Sequence, residues 1–120
     1  MLSSDQLIGF VKSGCNIRIS RCANDNRLIS IFGWMSVTVR EMEIPRDRYE
    51  DLIKETVTSL AERHGSDLRV EIRSDHYGRQ WVELYSGFLG KRTSRLGLSS
   101  RHIVMLQNAL HACAQLEQTS

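Results

Sequence analysis

LRVEIRSDHYGRQWVELYS, residues 68–86, is the stretch on which the fold turns. Leu68, Val70 and Ile72 alternate with Arg69, Glu71 and Arg73. After the turn HYGR (76–79), Val82 and Leu84 alternate with Trp81, Glu83 and Tyr85. A period of two marks strands, and two such strands around a glycine-bearing turn make an antiparallel hairpin. Two registers remain open. Either Val82 and Leu84 face a core and Trp81 and Tyr85 face outward, or the reverse holds, and one residue of slip exchanges them.

Downstream of the hairpin, RLGL (95–98) reads as another strand. Ser99 or Ser100 caps a last helix with Ile103, Leu106, Leu110 and Cys113 inward. Upstream, the same order occurs once more. NIRISRC (16–22) alternates, ANDN (23–26) turns, and RLISIFG (27–33) returns as its hairpin partner. SVTVREMEI (36–44) is a third strand, with Val37, Val39, Met42 and Ile44 inward and Thr38 and Arg40 outward. Pro45 then opens a helix, because its missing N–H costs nothing in a first turn. Tyr49, Leu52, Ile53, Thr56, Val57 and Leu60 fall on one face of that helix. A short opening helix starts at a Ser3–Gln6 capping box, carries Leu7, Ile8, Phe10 and Val11, and stops at Gly14.

The reading is therefore an α+β fold, an antiparallel sheet packed on helices. Residues 1–120 form a single domain, with an N-terminal helix over 1–14, a first βββα half over 15–65 and a second over 66–120. A shift of 54 places Gly33 on Gly87, Met42 on Leu96, Ile44 on Leu98 and Leu52 on Leu106. The first strands need a shift of 53, which sets Ile17 and Ile19 on Val70 and Ile72. That pattern fits two βββα halves forming an internal pseudo-dimer about a twofold. It also fits two unrelated βββα stretches that align by strand length. The expected helix-facing core is Tyr49, Leu52, Val57, Leu60, Ile103, Leu106 and Leu110.

Composition narrows the function classes. The chain has 120 residues, 41% apolar and 25% charged, enough for one cooperative core. Net charge is only +2, but thirteen of the sixteen cations are Arg, the side chain suited to phosphates and to stacking on bases. A GC-rich genome would give the same bias. Seven of the fourteen acids lie between Glu41 and Glu62, while 12–40 and 69–101 are net basic. An acidic helix behind a basic sheet would leave the sheet face positive. Three cysteines and no targeting layout point to the cytoplasm. No run approaches the ~20 apolar residues of a membrane span.

No motif points to catalysis. GFLGKRTS (87–94) resembles a phosphate-binding loop, but only two residues separate Gly87 and Gly90, and Arg92 replaces the required Ser or Thr. The four histidines are scattered and no pair has zinc spacing. The expectation is a non-enzyme with no cofactor and no metal. The remaining signal is the hairpin. In its first register, Arg69, Arg73, Trp81 and Tyr85 share an exposed face, with Lys91, Arg92 and Arg95 at its margin. Cations there would track phosphates while rings stack on bases, as in single-stranded nucleic-acid binding.

GKRTSRLGLSSRHIVMLQNAL (90–110) resembles the single-strand-binding domain of positive cofactor four, a transcription coactivator, and its PUR and Whirly relatives. The shared features are alternating strands, a basic turn, a short G-L-S-like strand end and a capped helix. The resemblance implies binding of single-stranded DNA or RNA in transcription regulation, with Lys91, Arg92 and Arg95 on phosphates, then Arg73 and Trp81. It also implies pairing of two such units, within the chain or as a homodimer. The first half departs from the pattern, since Glu41 and Glu43 stand where cations would be. A competing resemblance is to small dimeric chaperones of type III secretion, which implies a protein partner. A phage or plasmid protein that binds a host protein also fits.

Overall fold

The structure, a computed structural model, describes residues 2–86 and 92–119. The capping box forms as read. The Ser3 hydroxyl accepts the Gln6 N–H at 3.2 Å, and the Gln6 side chain accepts the Ser3 N–H at 3.0 Å. That starts α1 (Ser4–Lys12), which buries Leu7, Ile8 and Val11. β1 (Asn16–Arg21) and β2 (Arg27–Phe32) pair antiparallel, with Ile17 opposite Ile31 and Ile19 opposite Ile29. β3 (Thr38–Ile44) follows, then α2 (Arg46–Arg63) directly after Pro45. β4 (Leu68–Ser74), β5 (Gln80–Ser86) and β6 (Arg92–Leu96) repeat the meander, and α3 (Ser100–Thr119) closes the described chain.

The six strands form one sheet in the order β3-β2-β1-β6-β5-β4. Every pairing is antiparallel except the central one, where β1 and β6 run parallel. Each half is a three-strand meander followed by a helix, as the sequence indicates. The halves meet last strand to first strand and point the same way. A twofold axis would instead set like strands side by side and antiparallel. The two halves thus sit head to tail, a correction to the twofold arrangement expected of a pseudo-dimer.

A sheet with one apolar face must bury it against another layer. Ile17, Ile29, Ile31, Val70, Val82, Leu84 and Leu96 form that face, each at most 4% exposed. Over them lie Leu7, Ile8 and Val11 of α1, Ile53, Val57 and Leu60 of α2, and Ile103 and Leu106 of α3. Leu110 is only partly buried against this core. The end of α1 is docked by two buried hydroxyls. Ser86 Oγ donates to the Lys12 carbonyl and Ser94 Oγ to the Val11 carbonyl, both at 3.0 Å. They satisfy acceptors that a helix C-terminus leaves without partners.

Two strands depart from expectation. β6 runs over Arg92–Leu96 rather than 95–98, so the strand takes up part of the expected basic turn; the other is β3. Met42 is half-buried and Ile44 buried, but Val37 and Val39 are 63% and 54% exposed. A register shift opposite Ile31 and Phe32 pairs Ile31 with Arg40 and Phe32 with Thr38. Val39 is odd-numbered, so alternation counted back from Ile44 and Met42 already sends it outward, and the register shift beside it ends the regular ladder before Val37.

Candidate nucleic-acid interface

The register of β5 is decided by Val82 and Leu84, both fully buried under the helices. Trp81, Glu83 and Tyr85 therefore point to the helix-free face. On β4, Leu68 and Val70 face the core, so Arg69, Glu71 and Arg73 point outward with them. Strand pairing sets Arg69 beside Tyr85, Glu71 beside Glu83 and Arg73 beside Trp81, and puts Arg95 of β6 beside Glu83. Five expected residues, Arg69, Arg73, Trp81, Tyr85 and Arg95, thus share one face. Arg92 opens β6 opposite Ser86. Lys91 lies outside the described residues.

The charges of this face are largely matched among themselves. The Glu83 carboxylate accepts the Trp81 indole N–H at 3.1 Å and the Tyr85 hydroxyl at 2.8 Å. Arg73 Nε stands 3.5 Å and Arg95 3.8 Å from the same carboxylate. The indole and phenol hydrogen bonds, then the two guanidinium charges, outweigh its burial and hold Glu83 below the usual carboxylate range. Glu71 takes Arg73 and Arg69, the latter at 3.5 Å. Arg69 lies 4.2 Å over the Tyr85 ring and Arg95 5.1 Å over the Trp81 ring. Arg69 and Arg73 are therefore already neutralised, and a phosphate would compete with two carboxylates for them.

The seam between the halves is different. β1 and β6 share a single paired position, Ile17 with Leu96. A Gly97 N–H to Ile17 carbonyl bond at 3.2 Å and an Arg95 N–H to Asn16 Oδ1 bond at 2.9 Å complete it. There a groove of about 700 Å³ opens beside Arg18, Phe32, Arg79, Trp81 and Arg95, and no acidic residue lines it. Arg18 lies 5.3 Å over the Phe32 ring. Three cations and two rings thus gather at one opening of a size that takes a small ligand. Arg18, Phe32 and Arg79 were missed by sequence reasoning. Arg18 was legible as an outward residue between Ile17 and Ile19, but nothing local placed β1 beside β6.

A second cluster was also missed. His102 is 2% exposed and bonds Ser99 Oγ through Nδ1 at 2.8 Å and Glu50 through Nε2 at 3.2 Å. Tyr49 stands edge-on to its ring at 5.8 Å, and Arg101 pairs with Glu50 from the rim. Burial alone would raise the Glu50 pKa, but His102 and Arg101 outweigh it and hold the carboxyl below its ordinary value. This chain ties the start of α3 to the first turns of α2. Among the described residues no group of His, Cys, Asp or Glu gathers where a metal ion could be held. No helix of the described chain is long and apolar enough to cross a membrane. No known family, curated protein or solved structure matches the chain.

Proposed function

We propose that the helix-free face of the sheet binds single-stranded nucleic acid without catalysis, with the seam groove as its principal site. The observation that carries this reading is a groove with no acid in its lining, which brings Arg18 and Arg79, and Arg95 at the edge of the Glu83 network, together with Trp81 and Phe32. Guanidinium groups neutralise backbone phosphates, and rings accept bases by stacking, worth ~1–3 kcal/mol per base. A strand with unpaired bases can offer both groups to one groove, whereas a duplex keeps its bases stacked inside. Arg69 and Arg73 then act as a second tier, engaged only where phosphate displaces Glu71 or Glu83. Lys91 and Arg92 are further phosphate contacts only on the strength of the resemblance to positive cofactor four. A role in transcription regulation rests on the resemblance of residues 90–110 to positive cofactor four.

The test is fluorescence anisotropy with labelled single-stranded DNA, single-stranded RNA and duplex DNA, each at low and near-physiological salt. The expected result is preference for single strands, with affinity falling steeply as salt rises. No binding to any oligonucleotide at low salt discards the reading.

A further inference from the structure

Four of the large apolar side chains most open to solvent lie within six residues: Trp34 at 87%, Met35 at 76%, Val37 at 63% and Val39 at 54%. They occupy the β2–β3 turn and the start of β3, which is an edge of the sheet. An edge strand offers unpaired backbone N–H and C=O groups to another chain, and proteins usually blunt it with charge. The opposite edge, β4, is blunted in this way by Arg69, Glu71 and Arg73. The first part of β3 is not. Its second part carries Glu41 and Glu43, both exposed, and no ion pair joins either to a cation among the described residues. The turn holding Trp34 out is itself unusual, since Met35 and Ser36 take backbone φ values of 58° and 59° without being glycine.

We propose that β3 is a docking edge for an extended segment of another protein, which adds to the sheet as a further strand. The segment recognised is apolar where it passes Val37, Val39 and the Trp34–Met35 turn, and basic where it passes Glu41 and Glu43. Main-chain bonds supply adhesion in such pairing, and side chains along one face supply selection. Charge complementarity favours a foreign basic segment over a second copy. Symmetric antiparallel pairing of β3 with itself sets glutamate opposite glutamate when centred on Glu41, Met42 or Glu43, and opposite Val37, Val39 or Met35 when centred on Val39 or Arg40, so none of these registers gives either glutamate a cation. This surface lies on the first half and is independent of the seam groove.

The probes are two labelled peptides of ten residues with an all-valine half and a charged half, the charge at alternate positions being lysine in one and glutamate in the other. Binding is read by anisotropy and by backbone amide shifts. The lysine peptide is expected to bind about tenfold more tightly, the effect of two cross-strand charge pairs. Shifts should concentrate on 37–44. Glu41→Lys with Glu43→Lys should reverse the preference, and Val37→Lys with Val39→Lys should abolish binding. All four sites are exposed, so these variants keep the core, and their oligonucleotide binding should be unchanged. Equal affinity for the two peptides, no binding of either, or shifts confined to the seam groove would overturn the proposal. So would self-association of the wild-type chain that Val37→Lys with Val39→Lys removes, because the edge would then belong to a second copy.

Discussion

The two halves bury the same kind of face and expose different ones. Ile17, Ile29 and Ile31 in the first half and Val70, Val82 and Leu84 in the second line one continuous floor beneath the helices. Outside, β4–β6 carry a closed network in which Arg69, Arg73 and Arg95 meet Glu71 and Glu83, and guanidinium groups cover both rings. β1–β3 carry Arg18 over Phe32, then the acidic and apolar edge of β3. Two turns that are not counterparts, β4–β5 and β2–β3, also differ. Asp75 Oδ1 accepts the N–H groups of Tyr77 and Arg79, both at 2.9 Å, and Gly78 takes the positive φ of 86°. The β2–β3 turn has no such side-chain acceptor and puts Met35 and Ser36 where glycine is favoured. The core constrains what it covers, so differences accumulate where the chain meets solvent and partners.

If the halves truly share one floor, damage to either must unfold both. Ile31→Ala and Leu84→Ala each remove a fully buried side chain and should each cost about 3 kcal/mol. Urea unfolding should stay a single transition in both variants; two transitions would show that the halves are separate units. The seam and the second half's outer face separate in binding. Arg18→Ala with Arg79→Ala should weaken single-strand affinity by on the order of tenfold and lower the salt slope. Arg69→Ala with Arg73→Ala should do less, since Glu71 and Glu83 already engage those cations. The reverse ranking in a salt titration would move the site from the seam to β4 and β5.

Smaller effects test the turns and the rim. Met35→Gly should stabilise by about 0.5–1 kcal/mol and Gly78→Ala should destabilise by about as much, because both act on a positive φ. Thermal unfolding checks the pair, and equal neutrality at both would remove the contrast between the hairpins. The smallest effect is at Asp67, which joins Lys12 of α1 at 2.8 Å and Arg63 of α2 at 2.9 Å. The Lys12 bond first, then Arg63, lowers its pKa to about 2. A carboxyl depressed on folding stabilises above its unfolded pKa and loses that contribution as pH falls through the folded one. The pair is well exposed, so Asp67→Asn should cost about 0.5–1 kcal/mol at neutral pH after solvent screening. The deficit should fade between about pH 4 and pH 2, read from the urea midpoint at each pH.

Much of the architecture was legible in order along the chain. The Ser3–Gln6 cap, the start of α2 after Pro45, and the alternation of β1, β2, β4 and β5 all stand where the sequence puts them. Val37 and Val39 were misread because the apolar positions change parity between Val39 and Met42, so only one of the two pairs could face the core on a regular strand. The outward placement of Trp81 and Tyr85 was one of two registers, and only Val82 and Leu84 under the helices decided between them. Glu50 and His102 are 52 residues apart, and no spacing rule joins them.

By itself, the sequence determined which segments become helix or strand and which side of most strands is apolar, because those signals repeat over two to four residues. Only the tertiary structure decided that β1 lies beside β6, parallel and head to tail. That choice depends on how two meanders and three helices bury one shared floor. The groove exists because of it: Arg18 and Phe32 come from one half, Arg79, Trp81 and Arg95 from the other, and they meet only where the sparsely bonded seam lets the sheet part.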